Sequence, residues 1–155
     1  MNGLYLPPVF DVKRVATPCA IFSYLVHIIR DFQKDHLNNL NYFPDDLIAK
    51  NDLNRTKLLE MAQGSFITDG FRNLIRELYE VAGFYRIKTY EMIQEIRPFV
   101  EPRGQLSLEI IFALYLMVFE RIDIKNGTFT TMELNPTPDE IKERVWKVIV
   151  EFEAE

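Results

Sequence analysis

The sequence predicts an all-α protein, a bundle of about five to six helices. Three observations point there. Apolar residues recur at helical spacing through long segments, as in Leu58, Leu59, Ala62, Phe66, Ile67, Phe71, Leu74, Ile75, Leu78 and Tyr79. Clusters of Asn, Pro and Gly separate these segments. Helix-starting signatures precede two of them, Pro44 before Asp45-Asp46 and Thr137-Pro138 before Asp139-Glu140.

Each element follows in order. Residues 1–13 read as an entry segment, apolar but interrupted by prolines. A first helix is expected from Thr17 to Asn38, rich in aliphatic residues from Ala20 to Ile29 and ending in Asn38-Asn39. Asn41-Tyr42-Phe43-Pro44 is a link, and Pro44 starts a short helix through Lys50. Asn51 to Asn54 breaks the chain. A long helix is expected from Arg55 to Ala82, weakened at Gly64 and Gly70, with helix resuming through Ile96. Pro98 and Pro102 punctuate a connector before the most hydrophobic helix, Leu106 to Ile122. Asn126-Gly127 marks a turn, and Gly127 to Leu134 suits a short extended stretch. The last helix, Asp139 to Glu153, carries Ile141, Val145, Val148, Ile149 and Phe152 on one face. Trp146 lies off that stripe and hints at an interface. Without repeats, low-complexity tracts or an internal boundary, residues 1–155 form a single domain.

The totals narrow the function classes. A chain of 155 residues, 48% of them hydrophobic, can bury one sizeable core. With 23 acidic and 18 basic residues the net charge is -5 and there is no basic stripe, which argues against a nucleic-acid partner. The single cysteine, Cys19, excludes an internal disulfide framework and reads as a packing residue. Met1 to Phe10 has no signal-peptide pattern. The longest apolar run, Ile110 to Phe119, is shorter than a bilayer span and fits a buried helix. These features suit a cytoplasmic protein.

The chemistry-bearing stretch is His27-Ile28-Ile29-Arg30-Asp31-Phe32-Gln33-Lys34-Asp35. On a helix, His27, Asp31 and Asp35 share one column. Two carboxylates in one column repel unless a cation lies between them. Mg²⁺ is usually held by one or two carboxylates plus phosphate oxygens. Arg30 stands beside them, and a guanidinium matches phosphate oxygens in bidentate fashion. The pattern suggests metal-assisted handling of a phosphorylated ligand. The same spacing also occurs on ordinary solvated helix faces.

Tyr24 to Asp35 resembles the second aspartate-rich motif of the squalene and phytoene synthases, head-to-head prenyl transferases. That motif runs approximately Gln-x-x-Asn-Ile-x-Arg-Asp-x-x-Glu-Asp. Asn41 to Leu47 resembles the family's aromatic-proline link and acidic short helix. Arg72 to Tyr79 and Pro98 to Asp123 resemble its later helices, so the likeness runs in order over nearly the whole chain. It implies the C-terminal part of the isoprenoid synthase fold, with Asp31 and Asp35 as metal-binding catalytic residues and Arg30 meeting diphosphate. Tyr24, His27 and Lys34, standing where the family has Gln, Asn and Glu, would line the pocket. The implied cofactor is Mg²⁺, with NADPH only for squalene-type reduction. The implied partner is a prenyl diphosphate such as farnesyl or geranylgeranyl diphosphate, and lipidic products imply peripheral membrane contact. The family's first aspartate-rich motif has no counterpart here. The chain alone is therefore expected to be weak or inactive, as a homo-oligomer or beside a partner carrying the N-terminal half. The alternative is a non-catalytic interaction or assembly protein, or a split-enzyme subunit, of the same fold.

Overall fold

The computed structural model describes residues 9–155, so most of the entry segment lies outside the described residues. Among the described residues the chain forms eight α-helices, a single 3₁₀ turn and no strand. They are α1 (Val12–Arg30), α2 (Phe32–Leu37), α3 (Asp45–Lys50), α4 (Arg55–Ala62), α5 (Asp69–Ile96), α6 (Pro102–Phe119), α7 (Thr131–Leu134) and α8 (Pro138–Ala154). The all-α bundle expected from the sequence is therefore the observed architecture.

Helix boundaries follow their caps. The first helix begins at Val12, five residues before the expected start, because the Asp11 side chain accepts from the Arg14 amide at 3.2 Å. Pro18 lies inside α1. The helix bends at Asp31, whose backbone leaves ideal helical values (φ -93, ψ 8). Hydrogen bonding nevertheless continues across the bend. The Asp31 amide donates to the His27 carbonyl at 3.0 Å, and the Asp35 amide donates to the Asp31 carbonyl at 2.8 Å.

The expected long helix from Arg55 to Ala82 is two helices. Gly64 adopts a left-handed conformation (φ +102) and ends the run, and Thr68 restarts it by accepting from the Phe71 amide at 3.2 Å. Phe66, counted by spacing in the apolar stripe, sits in the intervening loop and is 83% exposed. The stretch expected to be extended near Leu134 is the short helix α7. Thr130 caps it, and the Glu133 carboxylate accepts from the amides of Thr128 and Phe129. The Thr137 cap of α8 is present as expected, its hydroxyl accepting from the Glu140 amide at 3.2 Å.

Packing centres on α5 against α1, the most extensive helix pairing among the described residues, while α6 touches α1 and packs against α8. The core is aromatic. Phe71 is fully buried and touches Phe32, Phe43 and Phe129 with ring centroids 4.6, 6.2 and 5.4 Å away. Phe22 meets Phe112 and Phe119 edge-on, and Tyr79 stacks on Phe119 at 4.5 Å. Gly70 lets α5 approach α3, since a Cβ there would stand 2.2 Å from the Asn51 carbonyl oxygen. The adjoining Asn73 amide donates to the Asn51 side chain at 2.7 Å.

Helices α1 and α6 are both long and apolar enough to cross a membrane by length and composition, although little of either is buried. Helix α6 begins at Pro102, before the expected Leu106, and ends at Phe119, before the expected Ile122. Their open apolar faces line cavities at the α1–α6 junction.

Candidate functional site

One turn of α1 and its continuation into α2 build the site. Phe22, Val26 and Ile29 face the core at i, i+4 and i+7. That register turns Tyr24 and His27 outward and leaves them half exposed. The outward face lines a cleft of about 470 Å³, walled by Ala20, Ser23, Tyr24, His27, Ile28, Asp31, Lys34, Asp35, Tyr42 and Tyr115. Of the six residues singled out in the sequence, five meet there: Tyr24, His27, Asp31, Lys34 and Asp35. Arg30 is the exception and is not part of the lining.

Asp31 is the electrostatic centre. Its side chain is 8% exposed. Arg30 clamps it, Nε to Oδ1 at 2.9 Å and Nη2 to Oδ2 at 3.2 Å. His27 Nε2 lies 2.7 Å from Oδ2, and Lys34 Nζ lies 3.6 Å from the same oxygen. Burial pushes the Asp31 carboxyl up. The Arg30 hydrogen bond and the charges of Arg30, His27 and Lys34 outweigh burial and hold it below the usual carboxylate range. The hydrogen bond to Asp31 in turn raises the Arg30 guanidinium above its ordinary value. Arg30, expected to meet diphosphate, is thus bound to the carboxylate beside it.

Asp35 differs. It is buried and lines the same cleft, but no hydrogen bond or ion pair reaches its carboxylate among the described residues. Both carboxylates thus line one cleft, Asp31 paired with protein cations and Asp35 without a partner among the described residues. No group of three or more His, Cys, Asp or Glu side chains able to hold a metal is found among the described residues. The donor set fits Mg²⁺ only with ligand oxygens completing its shell, which is how Mg²⁺ is commonly held.

An apolar pocket of about 380 Å³ adjoins the cleft. Its walls include Val15, Cys19, Met92, Ile93, Leu108 and Ile111. Ala20 and Ser23 line both cavities. Cys19 is half-buried in this wall, and burial pushes its thiol up, in keeping with a packing role.

Two contributors were missed. Tyr42, expected only as part of a link, is half exposed and lines the cleft. Tyr115 comes from α6, some eighty residues from the motif, and nothing local marks it. Arg76 and Tyr79 do not line the cleft; Arg76 donates to Asn73 Oδ1 at 2.9 Å, and Tyr79 packs on Phe119. No protein-family model, curated protein or solved structure matches the chain.

Proposed function

We propose that the cleft binds an isoprenoid diphosphate, such as farnesyl or geranylgeranyl diphosphate, together with Mg²⁺, as one half-site of a squalene/phytoene synthase-like prenyl transferase. The observation that carries this reading is the joining of a charged cleft to an apolar pocket through Ala20 and Ser23. Such a site suits a ligand with an anionic head and a hydrocarbon tail. Asp35 and Asp31 would hold Mg²⁺, which when bound neutralises diphosphate charge. Lys34 and His27, at the cleft wall, meet diphosphate oxygens, and the α1–α6 pocket takes the tail. Condensing two prenyl diphosphates requires developing leaving-group charge to be met by several cations. The cleft offers one acidic pair, half of it already engaged by Arg30, so the reading is binding with weak or absent turnover by these residues alone. The ligand would bring a cytoplasmic protein to the membrane surface.

The test is calorimetric titration of a non-hydrolysable farnesyl diphosphate analogue, with and without Mg²⁺, into the chain and into Asp35→Asn. Metal-dependent binding lost in the variant supports the reading, and equal heats in all four titrations sink it.

A second reading, a non-catalytic assembly protein of the same fold, rests on a separate observation. Val81, Phe84 and Ile87 on α5 and Trp146 on α8 expose apolar surface that no described helix covers. Sedimentation equilibrium separates the two, because this reading requires association at micromolar concentration whether or not the diphosphate analogue is present.

A further inference from the structure

Helix α8 has no fully buried residue, unlike every other α-helix among the described residues. It packs against α6, and Ile141, Val145, Val148 and Phe152 are partly buried. One residue further round the helix runs a second stripe, Lys142, Trp146, Ile149 and Glu153. Trp146 is 66% exposed, Lys142 and Glu153 are exposed, and Ile149 is partly exposed. An open groove of about 550 Å³ follows this side, lined by Asp139, Lys142, Glu143, Val145, Trp146 and Ile149. All six belong to α8, so no other described element closes the groove.

The charges of the stripe are uncommitted. Glu140 pairs with Arg121, Arg144 with Glu120 and the C-cap Glu155 with Arg97, while Lys147 pairs with Glu151 along the helix at 3.9 Å. Lys142 and Glu153 have no ion pair among the described residues.

We propose that this stripe is a dimer interface whose partner is a second copy of the chain, with the two α8 helices antiparallel. The proposal rests on the second reading above, association through exposed apolar faces, and not on the diphosphate reading. Intervals of four, three and four residues are those of a coiled-coil seam. The stripe is also complementary to itself when reversed. With a two-fold axis between Lys147 and Val148, Lys142 meets the second copy's Glu153 and Trp146 meets its Ile149, and each contact occurs twice. The apolar pair is central and the ion pairs stand at the ends, as in a hydrophobic centre with a polar rim. Asp139 falls outside the paired stretch. Parallel helices would instead set Lys142 on Lys142 and Glu153 on Glu153, which like-charge repulsion opposes. One helix from each copy makes a small interface, so the dimer is reversible, with a dissociation constant on the order of 10 µM.

The test is sedimentation equilibrium of the full chain over a range on the order of 1–100 µM, with tryptophan fluorescence recorded in parallel. Trp146 is the only tryptophan, so dimerisation is expected to shift the emission to the blue as concentration rises. Lys142→Glu and Glu153→Lys are at exposed positions, and circular dichroism checks that each variant keeps the fold. Either change alone sets like charges together at both symmetric contacts and is expected to weaken the dimer by about ten-fold or more. An equimolar mixture of the two variants sets opposite charges at both contacts and is expected to associate again. A chain that stays monomeric throughout overturns the proposal and the second reading together. A dimer indifferent to both charge changes, or a mixture no tighter than its components, overturns the α8 pairing and leaves the second reading standing. A monomer whose emission shifts only on adding phosphatidylcholine vesicles assigns the face to a lipid surface and also overturns it.

Discussion

Arg30 grips the neighbouring Asp31 with two hydrogen bonds, at 2.9 and 3.2 Å, inside a cleft wall that His27 and Lys34 also approach. Adjacent residues on a helix do not normally face each other. The departure of Asp31 from helical geometry accompanies this pairing. Asp31→Asn leaves a partly buried guanidinium without its anion. The expected loss is about 1–3 kcal/mol at pH 7, read from urea unfolding.

The same pair sets an acid dependence. The folded-state pKa of Asp31 lies below its unfolded value, so the unfolded chain binds more protons in acid. The stability this carboxylate contributes is complete above about pH 4 and falls away as pH drops through the lowered folded value. Asp31→Asn is expected to lack that part of the decline. Parallel acid-unfolding curves for the two proteins would contradict the assignment.

Asp35→Asn separates function from stability. No partner reaches its carboxylate among the described residues, so the change is expected to move unfolding by no more than about 0.5 kcal/mol. The Mg²⁺-dependent heat with the diphosphate analogue is expected to vanish. A variant that unfolds readily yet still binds would reverse both halves of this expectation.

Phe71→Ala removes the ring that joins Phe32, Phe43 and Phe129. The site is fully buried, and the expected cost is about 3–5 kcal/mol by chemical denaturation.

Gly70→Ala tests a backbone contact instead of a cavity. The added methyl meets the Asn51 carbonyl oxygen, which belongs to the main chain and cannot swing away. A loss of about 1–3 kcal/mol is expected, with the Asn73–Asn51 hydrogen bond disturbed. An alanine variant as stable as the parent would mean that α5 and α3 separate freely.

Much of the fold was legible because helix signals are local. Thr137-Pro138 announced α8, and the Asn126-Gly127 turn fell between helices as expected. Where the reading failed, a second local signal outweighed the first. Phe66 continued the apolar spacing, although Gly64-Ser65 and the Thr68 cap marked a break that periodicity alone conceals. The aliphatic run from Ala20 to Ile29 drew the expected start to Thr17 and hid the cap at Asp11. In the site, the His27–Asp31–Asp35 column was readable because one helical stretch carries it. The ion pairing of Arg30 was not, since only the bend at Asp31 turns the two side chains together. Tyr115 reaches the cleft through tertiary packing, which leaves no mark on neighbouring residues.

Ala20 and Ser23 stand on the sill between the charged cleft and the apolar pocket, less than one turn of α1 apart. Their small side chains make the sill low. A chain threaded across it would be gauged by these two positions much as a ruler is read from its zero mark. If the cleft holds an isoprenoid diphosphate, bulk added at either one is expected to shorten the longest tail admitted and to leave binding of the head unchanged.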